Sequence, residues 1–128
     1  MTALYAKMDD SGVYPVELRS SPLEGWLALP AGTAAEVAIA MMLADGAWVA
    51  RPAIAAPTVT RSAEGWVIEF AAPDGAVCDV VDPYLGWLGS ADASAGALAF
   101  VLAEAGRYQL EVTAPRPWLG RTDNLVLA

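Results

Sequence analysis

Histidine is absent from this 128-residue chain, and Cys78 is its single cysteine. Because histidine is the commonest general base near neutral pH, its absence excludes Ser/His/Asp and Cys/His triads and most zinc sites. One cysteine forms neither an internal disulfide nor a CxxC pair, which argues against a small secreted fold held by disulfides. We therefore expect a protein that is not an enzyme and that carries no cofactor.

Basic residues are also scarce, with 7 Lys and Arg against 15 Asp and Glu, for a formal charge of -8. This charge repels phosphate backbones and anionic lipid, so neither nucleic acid nor a membrane is an expected partner. The longest uncharged apolar run, residues 37–44, is far shorter than the roughly 20 residues that span a bilayer. The opening MTALYAKMDD is not typical of a signal peptide, so we expect a soluble protein.

The first fifty residues predict a small module of strands and one helix. Residues 3–8 and 13–18 are typical of two strands around the turn DDSG, and Pro15 places the second strand at a sheet edge because proline lacks a ladder donor. Residues 26–29 and 47–51 are predicted to be further strands. The paired prolines of PAIAAP predict an extended linker over residues 53–57, between domains at 1–52 and 58–128.

A helix is predicted over residues 33–44. Thr33 and Glu36 match a capping box, and Gly46 stands where the helix would end. Apolar side chains then surround nearly the whole cylinder, so the helix needs cover on more than one side. Either a partner supplies that cover, or this is a short core helix within one protomer. The candidate interface residues are Val37, Ile39, Met41, Met42 and Leu43.

From residue 58 onward, short alternating runs predict about six strands in a small antiparallel β-sandwich. Proline, aspartate and glycine at residues 73–75 form a strong turn signal between two of them, and residues 123–128 supply the last strand. Residues 97–105 have helical propensity, but Gly96 interrupts the run and a strand is favoured. Each of three strands offers a triplet of bulky side chains to one core: Trp66, Ile68 and Phe70; Leu98, Phe100 and Leu102; Tyr108, Leu110 and Val112.

The segment EAGRYQLEV has the pattern E-x-G-x-Y-x-L. It resembles the tyrosine corner of immunoglobulin-like sandwiches, in which a tyrosine hydroxyl bonds back to upstream backbone at the start of the next-to-last strand. In this resemblance Gly106 permits the turn, Tyr108 is the corner residue and Leu110 takes the cysteine position. The alternative is an ordinary strand with a buried tyrosine.

Two segments resemble proteins of tailed bacteriophages. The ending GRYQLEVTAPRPWLG is similar to immunoglobulin-like C-terminal domains of small tail-associated proteins. The opening LYAKMDDSGVYPVEL, with EGWLALP and ADGAWVARPAIAAP, is similar to the front of tail-fibre and tail-fibre-assembly proteins. Such assembly chaperones commonly lack the sandwich, so its presence favours a protein that stays in the particle.

A few residues carry chemistry that could be functional. Asp74, Asp79 and Asp82 form the densest acidic cluster, but without a DxDxDG loop they are interpreted as solvated turn and edge residues. Cys78 lies among valines and is interpreted as a small buried hydrophobe. No residue set forms a catalytic or metal site.

The loop PRPWLG is the other candidate interface, because tryptophan and arginine are frequent interface hot spots. It would present Arg116, Trp118 and Arg121 together. The alternative is that Trp118 folds over the open end of the sandwich. Aromatic platforms also bind sugars, so a surface glycan remains a candidate ligand.

These observations and the resemblance together predict a non-enzymatic structural component of a tailed-phage virion. It would be assembled in the bacterial cytoplasm and would bind other virion proteins and itself. An assembly chaperone for a tail fibre and a carbohydrate-binding module are the alternatives.

Overall fold

The computed structural model describes residues 3–128; residues 1 and 2, which belong to the predicted module 1–52, lie outside the described residues. The chain divides into two compact units, Met1–Arg51 and Pro52–Ala128. The described residues form antiparallel strands and one short helix, so the prediction of a mainly β fold with one helix is confirmed.

The first unit contains a three-stranded antiparallel sheet. Its strands are β1 (Tyr5–Met8), β2 (Pro15–Arg19) and β3 (Leu27–Ala28), in the order β2-β1-β3. Pro15 therefore lies in an edge strand, as predicted. The β1–β2 turn is closed by the backbone N–H of Gly12, which donates to the carbonyl of Asp9 over 2.9 Å.

The predicted helix over residues 33–44 is wrong. Only α1 (Ala35–Ala38) is helical, and β4 (Met41–Ala44) pairs with β5 (Ala47–Ala50) as an antiparallel hairpin. Thr33 does not cap the helix, because its hydroxyl donates to the carbonyl of Pro30 over 2.7 Å. Asp45 and Gly46 have φ of 49° and 78°, which is the left-handed pair that a two-residue type I′ turn requires. Gly46 thus forms a hairpin turn and does not end a helix.

The core of the first unit is small. Among the described residues, its fully buried hydrophobic side chains are Ala6, Leu29 and Ala38. Met41 and Trp48 from the β4–β5 hairpin pack against them, and the indole nitrogen of Trp48 donates to the carbonyl of Ala28 over 3.0 Å. The hairpin is therefore held to the three-stranded sheet by side-chain packing and by this hydrogen bond.

The second unit is a sandwich of two antiparallel sheets. The three-stranded sheet has the order β10-β7-β6, and the four-stranded sheet has the order β12-β11-β8-β9. Residues 97–105, ambiguous in sequence, contain a strand. The seven strands of this unit are β6 (Thr58–Ser62), β7 (Gly65–Ala71), β8 (Val77–Asp82), β9 (Gly86–Asp92), β10 (Ala97–Leu102), β11 (Gly106–Thr113) and β12 (Arg121–Leu127).

Alternating side chains of both sheets fill one core. Ile68, Phe70 and Leu98 come from the three-stranded sheet, while Cys78 and Leu110 come from the four-stranded sheet, and all five are almost fully buried. Because successive side chains of a strand point to opposite faces, the intervening residues of β8, β11 and β12 face solvent. We call this solvent side of the four-stranded sheet the outer face.

Residues 53–57, predicted to be a linker, are partly packed in the second unit. Ile54 is 3% exposed and belongs to its core. Ala53 pairs with Leu119 in a parallel bridge, and the N–H of Leu119 donates to the carbonyl of Pro52 over 2.9 Å. The proline-bounded segment thus includes an apolar side chain that the sandwich buries.

Candidate functional site

The candidate interface residues of the first unit do not form one helical face. Val37 and Ile39 are 51% and 60% exposed at the end of the short helix. Met41 packs against the unit's core, while Met42 and Leu43 are half-buried in the β4–β5 hairpin. The interface predicted on a helical cylinder is therefore wrong in its geometry, and only Val37 and Ile39 of the set are largely exposed.

The three candidate side chains at the loop PRPWLG and the strand that follows it differ in their exposure. Trp118 is half-buried and packs against the core of the sandwich, as the alternative interpretation expected. The backbone N–H of Trp118 donates to the carbonyl of Pro115 over 3.0 Å, and the Arg116–Pro117 peptide is cis. Arg116 is exposed.

Arg121 is engaged within the second unit. Its guanidinium donates to both carboxylate oxygens of Asp123, over 2.7 and 2.8 Å, and to the carbonyl of Ile54 over 2.7 Å. The hydrogen bonds with Asp123 raise the pKa of Arg121 further. The side chain therefore fastens residue 54 to the last strand, a role that the interface prediction for Arg121 did not include.

The tyrosine corner has the expected hydrogen bond. The Tyr108 hydroxyl donates to the backbone carbonyl of Glu104 over 2.8 Å. Gly106 has φ of 154°, and a β-carbon on it would lie 3.7 Å from the Tyr108 ring. The ring packs against the core, and burial raises the pKa of the Tyr108 hydroxyl. The hydrogen bond between Tyr108 and Glu104 thus closes the loop that leads into β11.

Three aspartates of the acidic cluster serve three different local roles. The Asp74 carboxylate accepts a hydrogen bond of 3.2 Å from the N–H of Gly96. Asp82 accepts hydrogen bonds from backbone N–H groups of the following turn, and Asp79 lies on the outer face. Within residues 3–128, no group of three or more Asp, Glu, Cys or His side chains is arranged to hold a metal ion.

The turn between β8 and β9 presents apolar side chains to solvent. Tyr84 is 91% exposed and Leu85 is 79% exposed. The carboxylate of Asp82 accepts hydrogen bonds from the N–H groups of Tyr84 and Leu85, over 2.8 and 3.0 Å. An aromatic and an aliphatic side chain therefore project from a turn whose backbone is fixed at its base. We call residues 83–85 the apolar turn.

Trp87, in β9, is 64% exposed although its indole is held in place. The indole nitrogen donates to the carboxylate of Asp79 over 3.1 Å, and the Ser90 hydroxyl donates to the same carboxylate oxygen. These hydrogen bonds, that of Ser90 foremost, lower the pKa of Asp79. The sequence alone did not indicate this contact between Trp87 and Asp79, because it depends on the pairing of β8 with β9.

The outer face carries two cross-strand rows that include these residues. In one row Ser90 pairs with Asp79, and Asp79 pairs with Glu111. In the next row Trp87 and Gln109 both pair with Val81. Asn124 of β12 pairs with Gln109 and extends that second row. Hydrogen-bonding side chains from four strands therefore extend across the outer face from one exposed indole at the sheet edge.

A groove of about 180 Å³ lies where the edge strands β9 and β10 approach each other. Leu88, Phe100 and Val101 contribute apolar side chains to it, and Leu88 and Val101 are 46% and 45% exposed. No ionisable side chain lines this groove. Its exposed side chains add to the apolar surface that Tyr84 and Leu85 present.

Two further observations concern the described residues. The Cys78 thiol is fully buried, and burial, with Asp79 and Asp123 nearby, raises its pKa to about 11. No helix in residues 3–128 combines the length and hydropathy that crossing a membrane would require.

Comparison of the chain with protein-family models, with curated proteins and with solved structures gave no match.

Proposed function

We propose that this chain is a non-enzymatic structural protein of a tailed-phage virion, which acts by binding other virion proteins and further copies of itself. The apolar turn is the observation that carries the proposal. An aromatic and an aliphatic residue, Tyr84 and Leu85, are the most exposed large hydrophobic side chains among the described residues. Large exposed apolar groups on a fixed backbone are typical of association sites.

The apolar turn is organised for binding before any partner arrives. Association loses free energy when side chains and loops become ordered at an interface. Because Asp82 already fixes the N–H groups of Tyr84 and Leu85, less ordering of the backbone remains. The turn is thus suited to insert two anchors into a pocket of a partner.

The adjoining strand supports the same function. β9 is an edge strand, and its seven residues contain no lysine and no proline, the residues that commonly block edge-to-edge pairing. A bulge at the register shift opposite Val80 and Val81 blunts this edge only in part. The groove beside it exposes Leu88 and Val101, so a partner on the apolar turn would gain further apolar contact there.

The assignment to a virion rests on the resemblance of the two terminal segments to phage tail-associated proteins. The hydrogen bond from Tyr108 to Glu104 and the division of seven strands into sheets of three and four support an immunoglobulin-like sandwich. Immunoglobulin-like sandwiches serve many unrelated functions, so the fold adds weight only together with the exposed apolar turn.

The experiment combines particle analysis with a variant of the apolar turn. Mass spectrometry of purified particles of the encoding phage would detect the chain in stoichiometric amounts. Tyr84→Ser/Leu85→Ser would reduce its incorporation at least tenfold, because two buried anchors together contribute several kcal/mol to an interface.

Val59→Ser is the matched control, since Val59 is also exposed, at 42%, but lies in the other sheet. It should be incorporated like the natural chain. A chain that is abundant in lysate and absent from mature particles would replace the proposal with an assembly chaperone. Equal incorporation of the double variant and the control would remove the apolar turn from the interface.

A further inference from the structure

We infer that the outer face of the four-stranded sheet binds a saccharide, with the indole of Trp87 as a stacking platform beside hydrogen-bonding side chains from three other strands. This site is distinct from the apolar turn, and it would give the virion protein a glycan ligand in addition to its protein partners. Four observations carry the inference: a fixed exposed indole, polar rows beside it, two opposed carboxylates, and few aliphatic groups among them.

The first observation is the state of Trp87. The indole is 64% exposed, yet its nitrogen is bonded to the Asp79 carboxylate, which is itself bonded to Ser90. The indole is therefore largely accessible while its orientation is set. The C–H groups of a pyranose ring match the negative face of an aromatic ring, and a ring that is already oriented loses little entropy on binding.

The second observation is the supply of donors and acceptors. Gln109 and Asn124 follow Trp87 across the sheet, and each amide offers a carbonyl acceptor and an NH2 donor. Asp79 and Glu111 in the neighbouring row offer acceptors. Adjacent strands are about 4.8 Å apart, so the rows extend roughly 14 Å from β9 to β12. Sugar hydroxyls both donate and accept, which matches this mixed set.

The third observation is an unfavourable pair. Asp79 and Glu111 lie directly opposite each other in the β8–β11 ladder, and like charges in that arrangement destabilise a sheet. The hydrogen bonds from Ser90 and Trp87 keep Asp79 ionised by lowering its pKa. Hydroxyl donors from a saccharide would satisfy both carboxylates. The repulsion between the two carboxylates thus destabilises the sheet locally, and a bound ligand that donates hydrogen bonds to them would reduce it.

The fourth observation favours a saccharide over a protein partner on this face. Protein hot spots sit within an apolar, desolvated surround. Apart from the indole, the apolar residue of the two rows is Val81, which is half-buried. Val126 of β12 is 70% exposed, but it lies in the next row, opposite Arg107. Leu85, Leu88 and Val101, which are also exposed, lie at the apolar turn and the sheet edge.

The test uses the full chain and an array of bacterial lipopolysaccharide and peptidoglycan fragments with neutral di- to tetrasaccharides of glucose, galactose, rhamnose and N-acetylglucosamine. A positive saccharide is then titrated by calorimetry. Trp87→Ala should weaken binding about tenfold or more, because one stacked ring contributes on that order. Circular dichroism and the melting temperature verify that this variant is folded.

Glu111→Gln separates a binding role from a structural one. It removes the repulsion with Asp79, so it should raise the melting temperature, while the weaker neutral hydrogen bond lowers saccharide affinity severalfold. Glu69→Gln, on the exposed side of the other sheet, should change neither quantity. Silence of the natural chain on the whole array overturns the inference. Affinity unchanged by Trp87→Ala, or an outer face that captures a basic peptide and no saccharide, overturns it equally.

Discussion

The Tyr108 hydroxyl donates a 2.8 Å hydrogen bond to the backbone carbonyl of Glu104, four residues earlier in the chain. Gly106 lies between them with φ of 154°, close to the Tyr108 ring. The Tyr108 side chain therefore closes the loop that precedes its own strand, β11. This contact joins β11 of the four-stranded sheet to the loop that follows β10 of the three-stranded sheet.

Tyr108→Phe should lower the free energy of unfolding by about 1 kcal/mol, the usual contribution of one hydrogen bond whose acceptor is left behind. Urea denaturation followed by far-UV circular dichroism measures the change. Tyr84→Phe is the matched control, because Tyr84 is 91% exposed and its ring is outside the core. If both variants were equally stable, the hydroxyl would not hold the corner.

The buried thiol of Cys78 should make stability depend on pH in alkaline solution. Burial raises its pKa from 9.0 to about 11, so the unfolded chain loses this proton at lower pH than the folded chain does. Because the folded state binds the proton more tightly, the thiol makes a contribution to the free energy of unfolding that is fully present below pH 9. This contribution is lost as pH rises toward 11.

Urea denaturation at pH 8, 9, 10 and 11 measures this slope. Cys78→Ala should lower the free energy of unfolding by about 1 kcal/mol at pH 8, as removal of one small buried group does. Between pH 9 and 11 its stability should fall less steeply than that of the natural chain. Parallel slopes for the two proteins would assign the alkaline loss to other groups.

The strands of the second unit could be predicted because their side chains alternate. Trp66, Ile68 and Phe70 are buried while Glu69 is exposed, so the period of two was visible in the sequence. The contact between Trp87 and Asp79 could not be predicted, since it depends on the pairing of β8 with β9 across a register shift. Side chains eight residues apart meet there only after the hairpin has formed.

The first unit shows why the helix prediction failed. Asp-Gly at residues 45–46 fits a helix end as well as a type I′ turn, and alanine with methionine favours a helix locally. In the structure, Met41 and Trp48 on the two strands of the hairpin both reach the small core. Tertiary packing of these two side chains therefore outweighs helix propensity, which amounts to only a few tenths of a kcal/mol per residue.

If Met41 lay on an exposed helix, Met41→Glu would impair assembly with a partner. The observed packing predicts an effect on stability instead. Since Met41 packs against Ala6, Leu29 and Ala38, a carboxylate there should destabilise the first unit by about 2 kcal/mol or more. Hydrogen exchange with mass spectrometry should show faster exchange in residues 3–51, while residues 58–128 retain their protection. Ile39→Glu is the control, because Ile39 is 60% exposed and its carboxylate would remain in water. Unchanged protection of β1 in Met41→Glu would mean that the β4–β5 hairpin does not contribute to this core.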